Sequence, residues 1–126
     1  MIVLATVVVT LAAALHIAIF VMESIGWVRP AVWKRFNVAS QEAADTVRPM
    51  AYNQGFYNLF LAIGAIVGLI LYGVGMHAAG LALILFAMAS MVAAAIVLVT
   101  TGRGYLRAAL VQGILPLLGF VLMLLS

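Results

Sequence analysis

Residues 49–102 read PMAYNQGFYNLFLAIGAIVGLILYGVGMHAAGLALILFAMASMVAAAIVLVTTG, 54 residues without one Asp, Glu, Lys or Arg. As a single helix the stretch would measure about 81 Å at 1.5 Å per residue. That is more than twice the ~30 Å hydrocarbon core of a bilayer. The stretch must therefore turn, and Gly73-Val74-Gly75-Met76-His77-Ala78-Ala79-Gly80 is the segment with turn chemistry at the right place. Two membrane-crossing helices follow, over about 49–72 and 78–100, with Pro49 suited to the first turn of the earlier one.

The same reading extends outward. Residues 1–22 and 108–126 are also free of charge. They predict a first helix over about 2–28, ended by Arg29-Pro30, and a fourth over about 105–125 that contains Pro116. The first apolar stretch has no basic residues before it and outruns a signal-peptide core, so it reads as a retained helix. Of 126 residues 68% are hydrophobic and nine are charged. A soluble domain carries roughly a quarter charged residues, so a soluble fold is excluded, and with it disorder. The expected architecture is all-α: one four-helix transmembrane domain over residues 1–126 in a lipid bilayer. The absence of cysteine removes disulfides and thiolate ligands.

The six basic residues set the orientation. Arg29, Lys34, Arg35 and Arg48 fall in the 29–48 loop, and Arg103 and Arg107 in the turn between the last two helices. The opposite side carries none. The positive-inside rule then puts both basic loops in the cytoplasm and both termini outside. A membrane explains this basic charge better than nucleic acid does, so no nucleic-acid partner is expected. Ser40 is placed to cap a short amphipathic helix in the 29–48 loop, which is expected to lie on the cytoplasmic face.

Polar residues inside the spans are the candidates for chemistry. On the first helix His16, Phe20, Glu23 and Trp27 are spaced four, three and four apart and share a face. Glu23 sits roughly 8 Å inside the cytoplasmic end, and His16 about 10 Å deeper. A carboxylate there normally faces the bundle interior and has a partner. The second helix opens with Asn53, Gln54, Tyr57 and Asn58, and the fourth carries Gln112 in its cytoplasmic half, on a stripe with Tyr105 and Pro116. Three helices thus bring polar groups to one depth. The expectation is a polar pocket open toward the cytoplasm, formed by His16, Glu23, Trp27, Asn53, Gln54, Tyr57, Asn58 and Gln112, with His16 at its floor. The bland alternative is that these amides only join helices. Gly64 with Gly68, and Ser90 with Ala94, read as helix-packing pairs. His16 and Glu23 alone do not make a metal site, and nothing in the sequence calls for a cofactor.

The motifs His16-x-x-x-Phe20-x-x-Glu23-x-x-x-Trp27, Asn53-Gln54-Gly55-x-Tyr57-Asn58-x-Phe60 and Gln112-Gly113-x-x-Pro116 resemble, over almost the whole chain, domain-of-unknown-function family 1304 (DUF1304). The resemblance implies four transmembrane helices in a bacterial inner membrane. It implies no activity.

Three functions fit these residues. One is binding or transport of a small molecule or ion, with Glu23 as ionisable centre. The six-to-zero charge bias argues against dual insertion, so a transporter would be a parallel homo-oligomer or have a partner. The second is a membrane-embedded enzyme using His16 and Glu23 as an acid/base pair on a lipid-like substrate, like an isomerase. The seven-residue spacing of the pair, about 10 Å along the helix, would then have to be bridged by water or substrate. The third is a structural or regulatory subunit.

Overall fold

The computed structural model describes residues 1–126. Every regular element is helical. α1 (Ile2–Phe20) runs on into one π-helical turn, Val21–Ile25. A short α2 (Pro30–Trp33) and a single 3-10 turn, Lys34–Phe36, follow. Then come α3 (Gln41–Gly73), α4 (His77–Thr100), a 3-10 turn over Arg103–Tyr105, and α5 (Leu106–Leu124). Four helices are long and apolar enough to cross a membrane: Ile2–Ile25, Gln41–Gly73, His77–Thr100 and Arg103–Leu124. A helix satisfies its own backbone polar groups, which is why such sequences adopt this conformation in lipid.

The four long helices form a ring in which α1 packs on α3, α3 on α4, α4 on α5 and α5 on α1. Their outward faces are apolar, with Phe86, Ile70, Ile96 and Leu118 exposed as lipid contact requires. The main core lies at the end of the bundle near the termini and the Val74–Met76 turn. There Ala5, Val9, Ala12 and Ala13 of α1 meet Ala62 and Ala65 of α3, Ile84, Ala87, Met88 and Met91 of α4, and Met123 of α5. Alanine on α1 and α3 lets the backbones approach, and unbranched methionines fill the irregular space that remains. Gly80 sits where α4 crosses α3. A Cβ there would meet the Tyr72 backbone nitrogen and would lie 2.7 Å from the Gly68 carbonyl oxygen.

α3 starts earlier than the proline suggests. Its 33 residues span about 50 Å, so its first turns project beyond a ~30 Å hydrocarbon core. Ser40 caps it, accepting a hydrogen bond from the Ala43 backbone N–H at 3.1 Å. The helix passes through Pro49 without a break. The Asp45 carbonyl loses its helical donor to the proline ring, but Asp45 is exposed, so water can take the donor's place.

The segment before α3 is packed. Trp27, Trp33, Ala44 and Ala51 form a second small core, with Phe36 and Val47 against it. The Trp27 indole donates to the Ala44 carbonyl oxygen at 2.9 Å, and Trp33 donates to the Gln41 side-chain oxygen at 3.1 Å. The indoles thus tie residues 27–36 to the first turns of α3.

Candidate functional site

At the end of the bundle near the basic loops the four helices separate around a cavity of about 590 Å³. α1 contributes His16 and the π-turn Glu23. α3 contributes Gln54, Asn58 and Leu61. α5 contributes Gln112 and Ala108, and α4 supplies an apolar wall of Met91, Ala94, Val97 and Leu98. Arg35, Phe36, Asn37, Thr101 and Tyr105 stand at the loop end. The Asn37 amide donates to the Gly104 carbonyl oxygen at 2.7 Å, so the two basic loops are joined at this end of the cavity. Asn37 itself adopts φ 59°, a left-handed conformation that asparagine tolerates better than most residues.

Glu23 is 8% exposed and accepts a hydrogen bond on Oε2 from the Asn58 side-chain nitrogen at 2.9 Å. That nitrogen also donates to the Gln54 carbonyl oxygen at 3.2 Å. His16 is likewise buried, with Nδ1 2.9 Å from the Ala12 carbonyl oxygen. A carbonyl only accepts, so Nδ1 carries the proton and Nε2 is left for the cavity.

Two local features deliver Glu23. The π-turn places the Gly26 N–H on the Val21 carbonyl at 2.8 Å. This one-residue slip re-aims the side chains in it, and such slips recur at functional sites. The second feature is close contact between α1 and α3. Gly55 faces Ser24, and a Cβ at Gly55 would overlap the Ser24 hydroxyl and lie 3.1 Å from the Glu23 Cβ. Ser24 in turn donates to the Tyr52 carbonyl oxygen at 2.8 Å. With Gly55 turned to α1, Asn58 lies one turn on and reaches Glu23.

The same geometry corrects three expectations. Asn53 and Tyr57 are exposed and do not line the cavity. At 100° per residue each stands roughly 160° from Gly55, on the outer face of α3. Trp27 is buried but belongs to the second core, where its ring lies 5.2 Å from Phe36. The π-turn and the end of the helix break the four-residue register between Glu23 and Trp27. His16, Glu23, Gln54, Asn58 and Gln112 are brought around the one cavity.

Arg35, Asn37 and Ser24 did not stand out in the sequence. Arg35 and Asn37 lie in a segment without periodicity. Ser24 could have been found through the small-residue stripe Ala51, Gly55, Ala62 and Ala65, which marks the face of α3 in contact. A second groove of about 270 Å³, between α4 and α5, is lined only by apolar side chains such as Val92, Ile96 and Phe120. It has no group to orient a ligand.

The chain belongs to the family described as proteins of unknown function, DUF1304, whose model matches residues 10–124. No curated protein and no solved structure matches it.

Proposed function

We propose that this member of the DUF1304 family binds a small molecule or ion within the membrane and carries it, with Glu23 as the ionisable centre of a cavity open toward the cytoplasm. The observation behind this reading is the state of the Glu23 carboxyl. It is buried, one oxygen is held by Asn58, and the other has no hydrogen bond from the protein and borders open space. A carboxyl sealed between helices as a joint would have its second oxygen closed off; here no sealed side-chain oxygen lacks a partner, which supports access to Glu23 from the cavity. The size of the cavity lies in the range of small-ligand sites. The cytoplasmic opening follows from the basic residues at that end. In a bacterial inner membrane, cysteines introduced at Asn37 and Met76 should label from opposite sides, Asn37 from the cytoplasm alone. A carrier of this size with one-sided charge would work as a parallel homo-oligomer.

A second reading has one observation in its favour: His16 and Glu23 line the same space. Water or substrate between them would allow acid/base chemistry on a lipid-like molecule.

Proteoliposomes with an entrapped pH dye separate the readings. External addition of a panel of amines, carboxylates and inorganic cations should change internal pH with at least one class. Glu23→Gln should abolish the response. An identical response in Glu23→Gln, or none beyond empty liposomes, removes the transport reading. A lipid turned over by wild type and bound but unconverted by His16→Ala would establish the enzyme in its place.

A further inference from the structure

The polar side chains that the bundle buries are His16, Glu23 and Asn58, and all of them line the cavity. What each leaves unbonded defines the ligand. His16 spends its Nδ1 proton on the Ala12 carbonyl, so Nε2 of the neutral ring accepts. The Asn58 nitrogen faces two acceptors, Glu23 Oε2 and the Gln54 carbonyl. Both contacts fix the amide orientation, and they leave Oδ1 to accept. Glu23 keeps Oε1. These three buried side chains therefore present three acceptors and no spare donor, and the donors of the lining, the Gln54 and Gln112 amides, belong to less buried residues. No sealed side-chain oxygen or nitrogen lacks a partner, so these free acceptors face the cavity, and the matching ligand brings N–H groups and positive charge.

The opposite end has the reverse character. Arg35 is exposed at the loop end of the cavity and lines it, and a guanidinium only donates. Between the two ends Leu61, Val97 and Leu98 offer apolar surface, with the Gln54 and Gln112 amides beside it. A bare divalent cation would leave that surface unused and find too few oxygens. A quaternary ammonium brings charge but no N–H.

We propose that the cavity selects a zwitterionic primary amine with a short apolar spacer. The ammonium goes in first and docks on Glu23 and Asn58, and the anionic end stays at Arg35. This rests on the binding reading above and adds the ligand class to it.

The test is thermal stability of the full chain in detergent with ε-aminocaproate, its trimethylammonium analogue and caproate. ε-Aminocaproate at saturating concentration should raise the wild-type Tm by roughly 10 °C, the shift that ligand linkage gives at a hundredfold excess over Kd. Caproate should give no shift and the trimethylammonium analogue a much smaller one. Glu23→Gln should lose the response. Arg35→Gln, an exposed change that leaves the bundle intact, should weaken ε-aminocaproate about tenfold or more while hexylamine binds as before. Equal shifts with caproate or the trimethyl analogue, a response surviving in Glu23→Gln, or no shift with any amine each overturn the assignment. If caproate alone gives a Glu23-dependent shift, the amine assignment fails and binding at Glu23 stands. If proteoliposome flux is also independent of Glu23, both fail.

Discussion

The same four helices build two unlike halves. Near the termini, alanine and methionine close the bundle around Val9, Ile84 and Met88, and the buried groups are apolar. Near the basic loops the helices part, and the buried groups include His16, Glu23 and Asn58 around open space. Without a large hydrophobic force between helices in lipid, association depends on packing and hydrogen bonds. The first half exploits packing. The second half keeps an ionisable group and a cavity that cost stability, and it is held by specific bonds: Asn58 to Glu23, Ser24 to Tyr52, Trp27 to Ala44 and Asn37 to Gly104. Under the proposed reading, the packed half is the rigid support for the cavity.

If that division is right, the largest loss of stability comes from the packed half. Gly80→Leu drives a side chain into the α3 backbone at Tyr72 and should cost on the order of 3 kcal/mol or more. A thermal melt in detergent reads this as a fall of roughly 10 °C or more. An unchanged Tm would mean that the α3–α4 crossing is looser than the geometry requires.

The next test sets the halves against each other directly. Met88→Ala removes a fully buried side chain and should cost about 2–5 kcal/mol. Ala94→Leu adds volume on the cavity wall and should change stability by less than ~1 kcal/mol, since space is already there. Equal costs for the two would erase the distinction between a filled half and an open one.

A smaller effect is expected where the open half is tied together. Gly55→Ala displaces the Ser24 hydroxyl and should cost about 1–2 kcal/mol. Adding Ser24→Ala should recover part of that, because the overlapping hydroxyl is gone. A double variant as unstable as the sum of the two single changes would show that Ser24 is not what Gly55 makes room for.

The fold could be read from the chain because its signals are coarse. The charge-free run over 49–102 and its glycine-rich turn demand two crossings, and the apolar stretches on either side add two more. The start of α3 could not be read, since Pro49 breaks helices in general and is tolerated here by an exposed carbonyl at Asp45. The lining of the cavity was legible by depth and only partly by direction. Asn53 with Tyr57 and Gln54 with Asn58 have the same four-residue spacing, and spacing alone does not choose between them. The choice is made by tertiary contact, with Gly55 against Ser24. Trp27 escaped for a related reason: no proline or glycine pair announces the π-turn at Val21–Ile25 that breaks its register. Arg35 reaches the cavity through the packing of Trp27, Trp33 and Phe36, which local sequence does not encode.

The division between the halves turns on whether Glu23 is in exchange with water and ligand or sealed as a packing element. Infrared difference spectra of the carboxyl C=O stretch, recorded on the reconstituted protein between about pH 4 and about pH 10, measure this directly. The expected result is a titrating carboxyl band that disappears in Glu23→Gln while the Tm of that variant stays close to wild type. A wild-type spectrum with no titrating band that Glu23→Gln removes would contradict it, and would make Glu23 a structural group like those in the packed half.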